Sequence, residues 1–132
     1  MQELIESLED FTWENYKDIS DALVSFNDYE VENEMFRQAS IYSYYYGLMS
    51  MAKKRMNEKI LNVTHFASDL RKTKKAESSV KLTAKDLDDI VFSDETYSAL
   101  QNSADDALFK YEMLKGLVRA LEQKKDMLQQ VS

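Results

Sequence analysis

Cysteine is absent from this chain, and with it any disulfide framework or thiolate metal site. The absence fits a reducing interior. Proline is absent too, and glycine occurs only at Gly47 and Gly116. So few turn-formers and helix-breakers exclude the many tight reversals of a multi-strand sheet and suit a few long helices. Long apolar runs are missing: none reaches membrane-spanning length, and nothing at the start has the basic stretch and apolar core of a signal peptide. The expectation is a soluble, cytoplasmic, all-α protein with no membrane contact.

Groups that do chemistry are equally scarce. The one histidine, His65, has no cysteine to pair with and falls beside Val63, Phe66 and Ala67, where a lone helical histidine is a structural residue rather than a general base. The acids at Asp86–Asp89 ("DLDD") and the pair Asp105 and Asp106 lack the ligand spacing of a calcium loop, and no Glu-x-x-His motif accompanies them. They are expected to be solvated helix faces. There is no glycine-rich phosphate loop. No enzyme activity, metal or cofactor is expected.

What the chain does contain is charge, unevenly divided. Over its 132 residues the formal net charge is −7. Residues 1–52 carry two basic and eleven acidic side chains, residues 53–85 carry ten and three, and residues 86–132 carry five and ten. An acidic protein therefore gathers positive charge in one stretch, and that local field is what a partner meets. Lys53, Lys54, Arg55 and Lys59 fall within two helical turns, and Arg71, Lys72, Lys74 and Lys75 follow in "RKTKKAESSVKLTAKD". That second run is polar and aperiodic, so it is expected to be a mobile connection. Concentrated cations on a helix and a mobile arm suit a phosphate backbone, bound through counterion release rather than base reading. The alternative targets are the chain's own acidic segments or an acidic partner. Among the aromatics of "IYSYYYGLM", Tyr42 and Tyr46 fall on an apolar seam, whereas Tyr44 and Tyr45 fall off it and are candidates for stacking on bases.

Periodicity supplies the architecture. In the first segment Leu4, Ile5, Leu8, Phe11, Ile19, Ala22 and Leu23 form one helical stripe, broadened by Trp13 and Tyr16 and ended by a loop at "SFNDYE". From Met35 a track in steps of four and three runs through Ala39, Tyr42, Tyr46, Met49, Lys53, Met56, Ile60, Val63 and Ala67 to Leu70, a seam on one long helix. Thr83 is expected to cap a short helix that ends near Ser93, and Ser93 to cap the last one, with Asp94 and Glu95 complementing its dipole. In that last helix Tyr97, Ala104, Tyr111, Val118 and Lys125 hold one heptad position, and Leu100, Ala107, Leu114, Leu121 and Leu128 the other. Leu108 and Leu117 widen the stripe.

The seams admit two uses, which the sequence leaves open. They can close on each other as a helical hairpin or bundle within one chain. They can also drive self-assembly, with Leu100, Ala104, Ala107, Tyr111, Leu114, Val118, Leu121 and Leu128 as the oligomerisation surface. The expected organisation is an acidic N-terminal helical segment (1–30) followed by a long-helix core (31–132). That core contains the basic stretch (53–85) and an assembly helix (94–129).

The run "AKDLDDIVFSDETYSALQNSADDALFKYEMLKGLVRALEQKKDMLQQ" resembles the closing region of the UvsY-like family of phage recombination mediators. There, a basic central helix and loop precede a short helix. A "…D…Y…L" start then opens a long amphipathic helix with a basic, polar end much like "RALEQKKDML". The likeness follows the order of elements over roughly residues 40–130 and leaves the acidic first forty without a counterpart. The resemblance implies a non-enzymatic protein that binds single-stranded DNA weakly and forms homo-oligomeric rings through its C-terminal helices. It also implies one that helps a RecA-like recombinase displace single-strand-binding protein, in the host's cytoplasm if the chain is phage-encoded. In such proteins the DNA-contacting cations sit on the central helix, the region that Lys53, Lys54, Arg55 and Lys59 occupy here. The rival expectation is an acidic helical interaction module, an adaptor or inhibitor of a host nucleic-acid enzyme, that does not bind DNA.

Overall fold

The chain is all-α in the computed structural model, which describes residues 2–24 and 31–131. Among the described residues there are five helices and no strand: α1 (Gln2–Asp10), α2 (Trp13–Val24), α3 (Val31–Glu77), α4 (Ala84–Ser93) and α5 (Glu95–Val131). Both glycines lie inside helices, Gly47 in α3 and Gly116 in α5. The loop expected at "SFNDYE", and the side chains of Leu4 and Ile5, lie outside the described residues.

The first segment is two helices where its stripe predicts one. Phe11 N–H bonds back to the Leu8 carbonyl at 3.3 Å. Asn15 then holds the break from both sides: its Oδ1 accepts from Thr12 N–H at 2.9 Å, and its Nδ2 donates to the Asp10 carbonyl at 2.8 Å. The first of these bonds is the return half of a capping box, with Asn15 at the third helical position reaching back to Thr12. An asparagine that satisfies backbone groups on both sides makes a break cheaper than a continuous helix.

The long helix also exceeds its expected length. Residues 71–77, expected as a mobile connection, continue α3 to Glu77. Arginine, lysine, alanine and glutamate are good helix formers without any apolar period, and Lys74 and Lys75 in the last turn complement the dipole. The connection is therefore only Ser78–Thr83. Ser78 organises its start, donating from Oγ to the Val80 carbonyl at 2.7 Å.

Thr83 caps α4 as expected, in a full capping box: Asp86 N–H donates to Thr83 Oγ1 at 3.1 Å and Thr83 N–H to Asp86 Oδ2 at 3.0 Å. These bonds to Thr83, backbone first, hold the Asp86 carboxyl below its ordinary range. The cap of α5 is Asp94 rather than Ser93. Tyr97 N–H donates to Asp94 Oδ1 at 2.8 Å, while Ser93 Oγ turns back to the Asp89 carbonyl at 2.8 Å. Ser93 is still helical, so only Asp94, in extended backbone, is placed to cap.

The chain divides into two compact units, and the division expected at residue 30 is not the one the packing follows. One unit comprises Met1–Lys54 with Leu108–Ser132, the other Arg55–Ala107. In the first, Leu8 and Phe11 of α1 and its exit, Leu48 and Ala52 of α3, and Met113, Leu114, Leu117 and Leu121 of α5 form one buried cluster. The N-terminal helices thus belong to a core instead of standing apart. In the second, Val63 and Ala67 of α3, Val91 of α4 and Ala104 of α5 are buried.

The seams hold in part. Val63 and Ala67 are buried as the α3 track predicts, but Met35, Ala39, Tyr46, Lys53 and Ile60 are exposed. In the first half of α3 the buried line passes through Gln38, Leu48 and Ala52 instead, because α1 and α2 also pack there. In α5 the buried line is Leu114, Leu117, Leu121, Lys124 and Leu128. It retains one expected heptad position; of the other, Ala104 and Val118 are buried, Tyr97 and Tyr111 half-buried and Lys125 exposed.

Candidate nucleic-acid interface

The eight cations singled out by charge all lie on α3. At about 100° per residue, the helix sorts them. In the unit Arg55–Ala107, Lys72 and Lys75 project to the side away from Val63 and Ala67, while Arg71 lies beside that buried line; in the other unit Lys54 projects away from Ala52. Lys54, Leu61, Ser68 and Lys75 follow at intervals of seven, with His65 and Lys72 alongside and Glu58 as the bordering acid. Lys53, Lys54, Lys72 and Lys75 are exposed. Arg55, Lys59 and Lys74 project to other sides of the helix, and the first two are half-buried. Lys53 and Lys54 fall in one compact unit and the other six in the second.

Two of the eight are engaged. Arg71 Nη2 pairs with Asp88 Oδ1 of α4 at 2.9 Å, and Lys74 Nζ lies 3.8 Å from Glu77 Oε2. Among the described residues Lys53, Lys54, Arg55, Lys59, Lys72 and Lys75 have no ion pair. Unpaired lysine ammonium groups on a helix present point charges to solvent, the kind of group that exchanges small counterions for phosphate. Because α3 extends to Glu77, Lys72 and Lys75 are held on a helix and not on a mobile arm.

The stacking candidates separate. Tyr45 packs against the core of the first unit, and that burial raises its phenol, with a smaller effect from Tyr44. Tyr44 is exposed and meets Tyr45 edge-on, with ring centres 5.0 Å apart. It borders a groove that also holds Ser7, Asp10 and Asn15, so its neighbour is a carboxylate. Phosphate is poorly matched to that setting, and Tyr44 and Tyr45 do not extend the lysine face.

The proposed oligomerisation residues are mostly occupied within one chain. Ala104, Leu114, Val118, Leu121 and Leu128 are buried; Leu100, Ala107 and Tyr111 are half-buried. An assembly built through the buried leucines requires that packing to open.

Two positioning lysines were not singled out by the sequence. Lys110 and Lys124, both on α5, donate from Nζ to the backbone carbonyls of Leu8 and Leu23. Each thereby satisfies a carbonyl in the last turn of α1 or α2, where the helix dipole favours a cation. Their spacing of two heptads was the available signal. Gln38 was missed as well; it is buried and donates from Nε2 to the Leu121 carbonyl at 3.1 Å.

Among the described residues no group of histidine, cysteine, aspartate and glutamate comes together to hold a metal ion, and no helix is long and apolar enough to cross a membrane. Comparison with protein-family models, with curated proteins and with solved structures finds no match.

Proposed function

We propose that this protein is a non-enzymatic recombination mediator. Its α3 lysines grip single-stranded DNA, and it helps a RecA-like recombinase replace single-strand-binding protein there. The observation that carries the reading is that Lys53, Lys54, Lys72 and Lys75, all on α3, are exposed and without an ion pair among the described residues in a protein of net charge −7. The order of elements shared with UvsY-like mediators supports it: basic long helix, short capped helix, long amphipathic helix. Four lysine–phosphate contacts give modest affinity with a salt slope of about −3 on single strands. Repetition of the patch in a homo-oligomer offsets weak single-site binding through avidity. The setting is the cytoplasm, the host's if the chain is phage-encoded.

Fluorescence anisotropy with labelled oligonucleotides at low and high salt tests the DNA step. A signal that saturates at low salt and collapses at high salt is expected. Indifference to the strand at protein concentrations on the order of micromolar removes DNA from the proposal. The mediator step is tested by the rate at which a RecA-like recombinase loads on a strand already covered by single-strand-binding protein, which the chain should raise.

A second reading, the acidic interaction module that ignores DNA, is favoured by one feature. Trp13, far from the basic stretch in sequence, is 61% exposed. It predicts binding to a basic polypeptide surface and no response to oligonucleotides.

A further inference from the structure

The groove that Tyr44 borders is poorly matched to phosphate, and the same features fit it for a cation. It lies within the unit Met1–Lys54 with Leu108–Ser132, where α1, α2 and α3 meet, and holds about 220 Å³. Sites for drug-sized molecules run to roughly 300–1,000 Å³, so this space suits a single long side chain. Phe11 and Leu48, both buried, give it an apolar floor, with Ile19 half-buried beside them. From α3 come Tyr44 and Tyr45, whose rings stand at 87° with centres 5.0 Å apart; Tyr44 is 42% exposed. Electron-rich ring faces attract cations. From α1 come the Ser7 hydroxyl and the Asp10 carboxylate, which is exposed and has no ion pair among the described residues.

The charge around this groove has one sign. Asp10 is the last residue of α1, a helix with no basic residue in its last turn. A carboxylate there opposes the helix dipole, which favours a cation at that end. Glu3, Ser7 and Asp10 follow in steps of four and three on one face of α1, and Asp18 lies one turn from Asn15 on α2. The cations nearby in sequence or packing are otherwise placed. Lys17 projects to the side of α2 opposite Asn15. Lys110 donates to the Leu8 carbonyl and does not line the groove. Arg37, two turns before Tyr44 on α3, has a partner of its own.

We propose that this groove receives an arginine side chain presented by a partner polypeptide, its guanidinium against Tyr44 and hydrogen-bonded to Asp10 and Ser7, its methylene stem over the apolar floor. Charge complementarity selects this occupant. A nucleic acid stacking on Tyr44 brings phosphates against Asp10 and Glu3, and an apolar side chain leaves the carboxylate unpaired. A guanidinium lies flat on a ring while donating in its own plane to a carboxylate, and it is more weakly hydrated than an ammonium, so arginine fits better than lysine. The site shares no residue with the lysines of the strand-binding reading. It rests on the second reading, the module for a basic polypeptide surface, and gives that module its point of contact.

The isotope-labelled full chain is titrated with a glycine–serine peptide carrying one central arginine, and amide chemical shifts are followed by NMR. Saturable shifts are expected at Ser7, Asp10, Asn15 and Tyr44. The same peptide with citrulline, which keeps the shape and loses the charge, is expected to give none, and its lysine counterpart to bind more weakly. Tyr44→Leu is expected to weaken the arginine peptide about two- to fivefold, the loss of an exposed cation–π contact. Asp10→Asn, which keeps the backbone carbonyl that Asn15 holds, is expected to weaken it as well. Both positions are exposed, and the circular dichroism of both variants is expected to match the parent. Equal binding of the citrulline peptide overturns the proposal, as does arginine binding that neither variant weakens. An oligonucleotide that shifts the same four residues overturns it too. Shifts confined to other residues overturn this site and leave the second reading standing. Indifference to this peptide and to an arginine-rich one removes both, and the anisotropy test of strand binding is unaffected by either result.

Discussion

The ammonium of Lys124 donates to the backbone carbonyl of Leu23, tying α5 to the end of α2. Lys124 is 2% exposed, so its aliphatic stem fills the interior while its charge meets a carbonyl in the last helical turn. Lys110 makes the corresponding bond to Leu8 at the end of α1. Two lysines in a heptad helix thus anchor the two N-terminal helices.

Lys124→Met retains the stem and removes the donor. Loss of a hydrogen bond from a charged group costs about 1.5–3 kcal/mol. Urea unfolding should show that loss, whereas Lys125→Met at an exposed site should change stability by no more than about 0.5 kcal/mol. Equal effects at both positions would count against the anchoring role.

Leu121 is completely buried in the cluster that joins α1, α3 and α5. Leu121→Ala should cost about 2–5 kcal/mol. Charged replacements at Leu114 and Leu121 should lower helicity, because each buries an unpaired charge in the core of one chain. A variant that keeps full circular dichroism and melting temperature, and changes only particle mass, would show that these leucines face another subunit.

Strand binding should divide the cations by exposure, Lys53, Lys54, Lys72 and Lys75 being exposed and Arg55 and Lys59 half-buried. Lys53→Glu, Lys54→Glu, Lys72→Glu and Lys75→Glu together should lower affinity for a labelled oligonucleotide more than tenfold and flatten its salt dependence, since four counterion-releasing contacts are lost. Arg55→Glu with Lys59→Glu should have a smaller effect per residue. Circular dichroism of both variants should match the parent, exposed charges contributing little to stability.

The Thr83–Asp86 box sets a pH dependence. The Asp86 carboxyl is held below its ordinary value of 3.8 by its bonds to Thr83, so the folded state binds its proton less readily than the unfolded chain. Its contribution is therefore full above that ordinary value and is lost as pH falls through the depressed one. Amide exchange over α4 should accelerate in that acid range in the parent, and Asp86→Asn should remove this component. Thr83→Ala should cost about 1 kcal/mol at neutral pH. Identical acid profiles for parent and Asp86→Asn would sink the assignment.

Local features were legible where neighbouring residues decide them. Thr83 was recognisable as a cap because the threonine and an acid three residues on satisfy each other. The α5 heptad leucines at 114, 121 and 128 were recognisable because burial recurs every seven residues. The break at Thr12 was not, since it depends on one asparagine reaching back to both Thr12 and Asp10. Nor was the end of α3: polar residues that are good helix formers resemble a loop when only apolar period is counted.

For the candidate interface, charge alone located the basic stretch, and helical geometry divided it. Composition and spacing determined that the chain is helical, that its cations cluster in α3, and that its last helix has an apolar stripe. Tertiary packing decided which side of each stripe is dry, that Lys124 and not Lys125 goes inside, and that Arg71 is paired with Asp88 while Lys72 is not. The reason is that helix formation and charge density follow from residues close in the chain. Burial and ion pairing depend on which distant element arrives to share the surface.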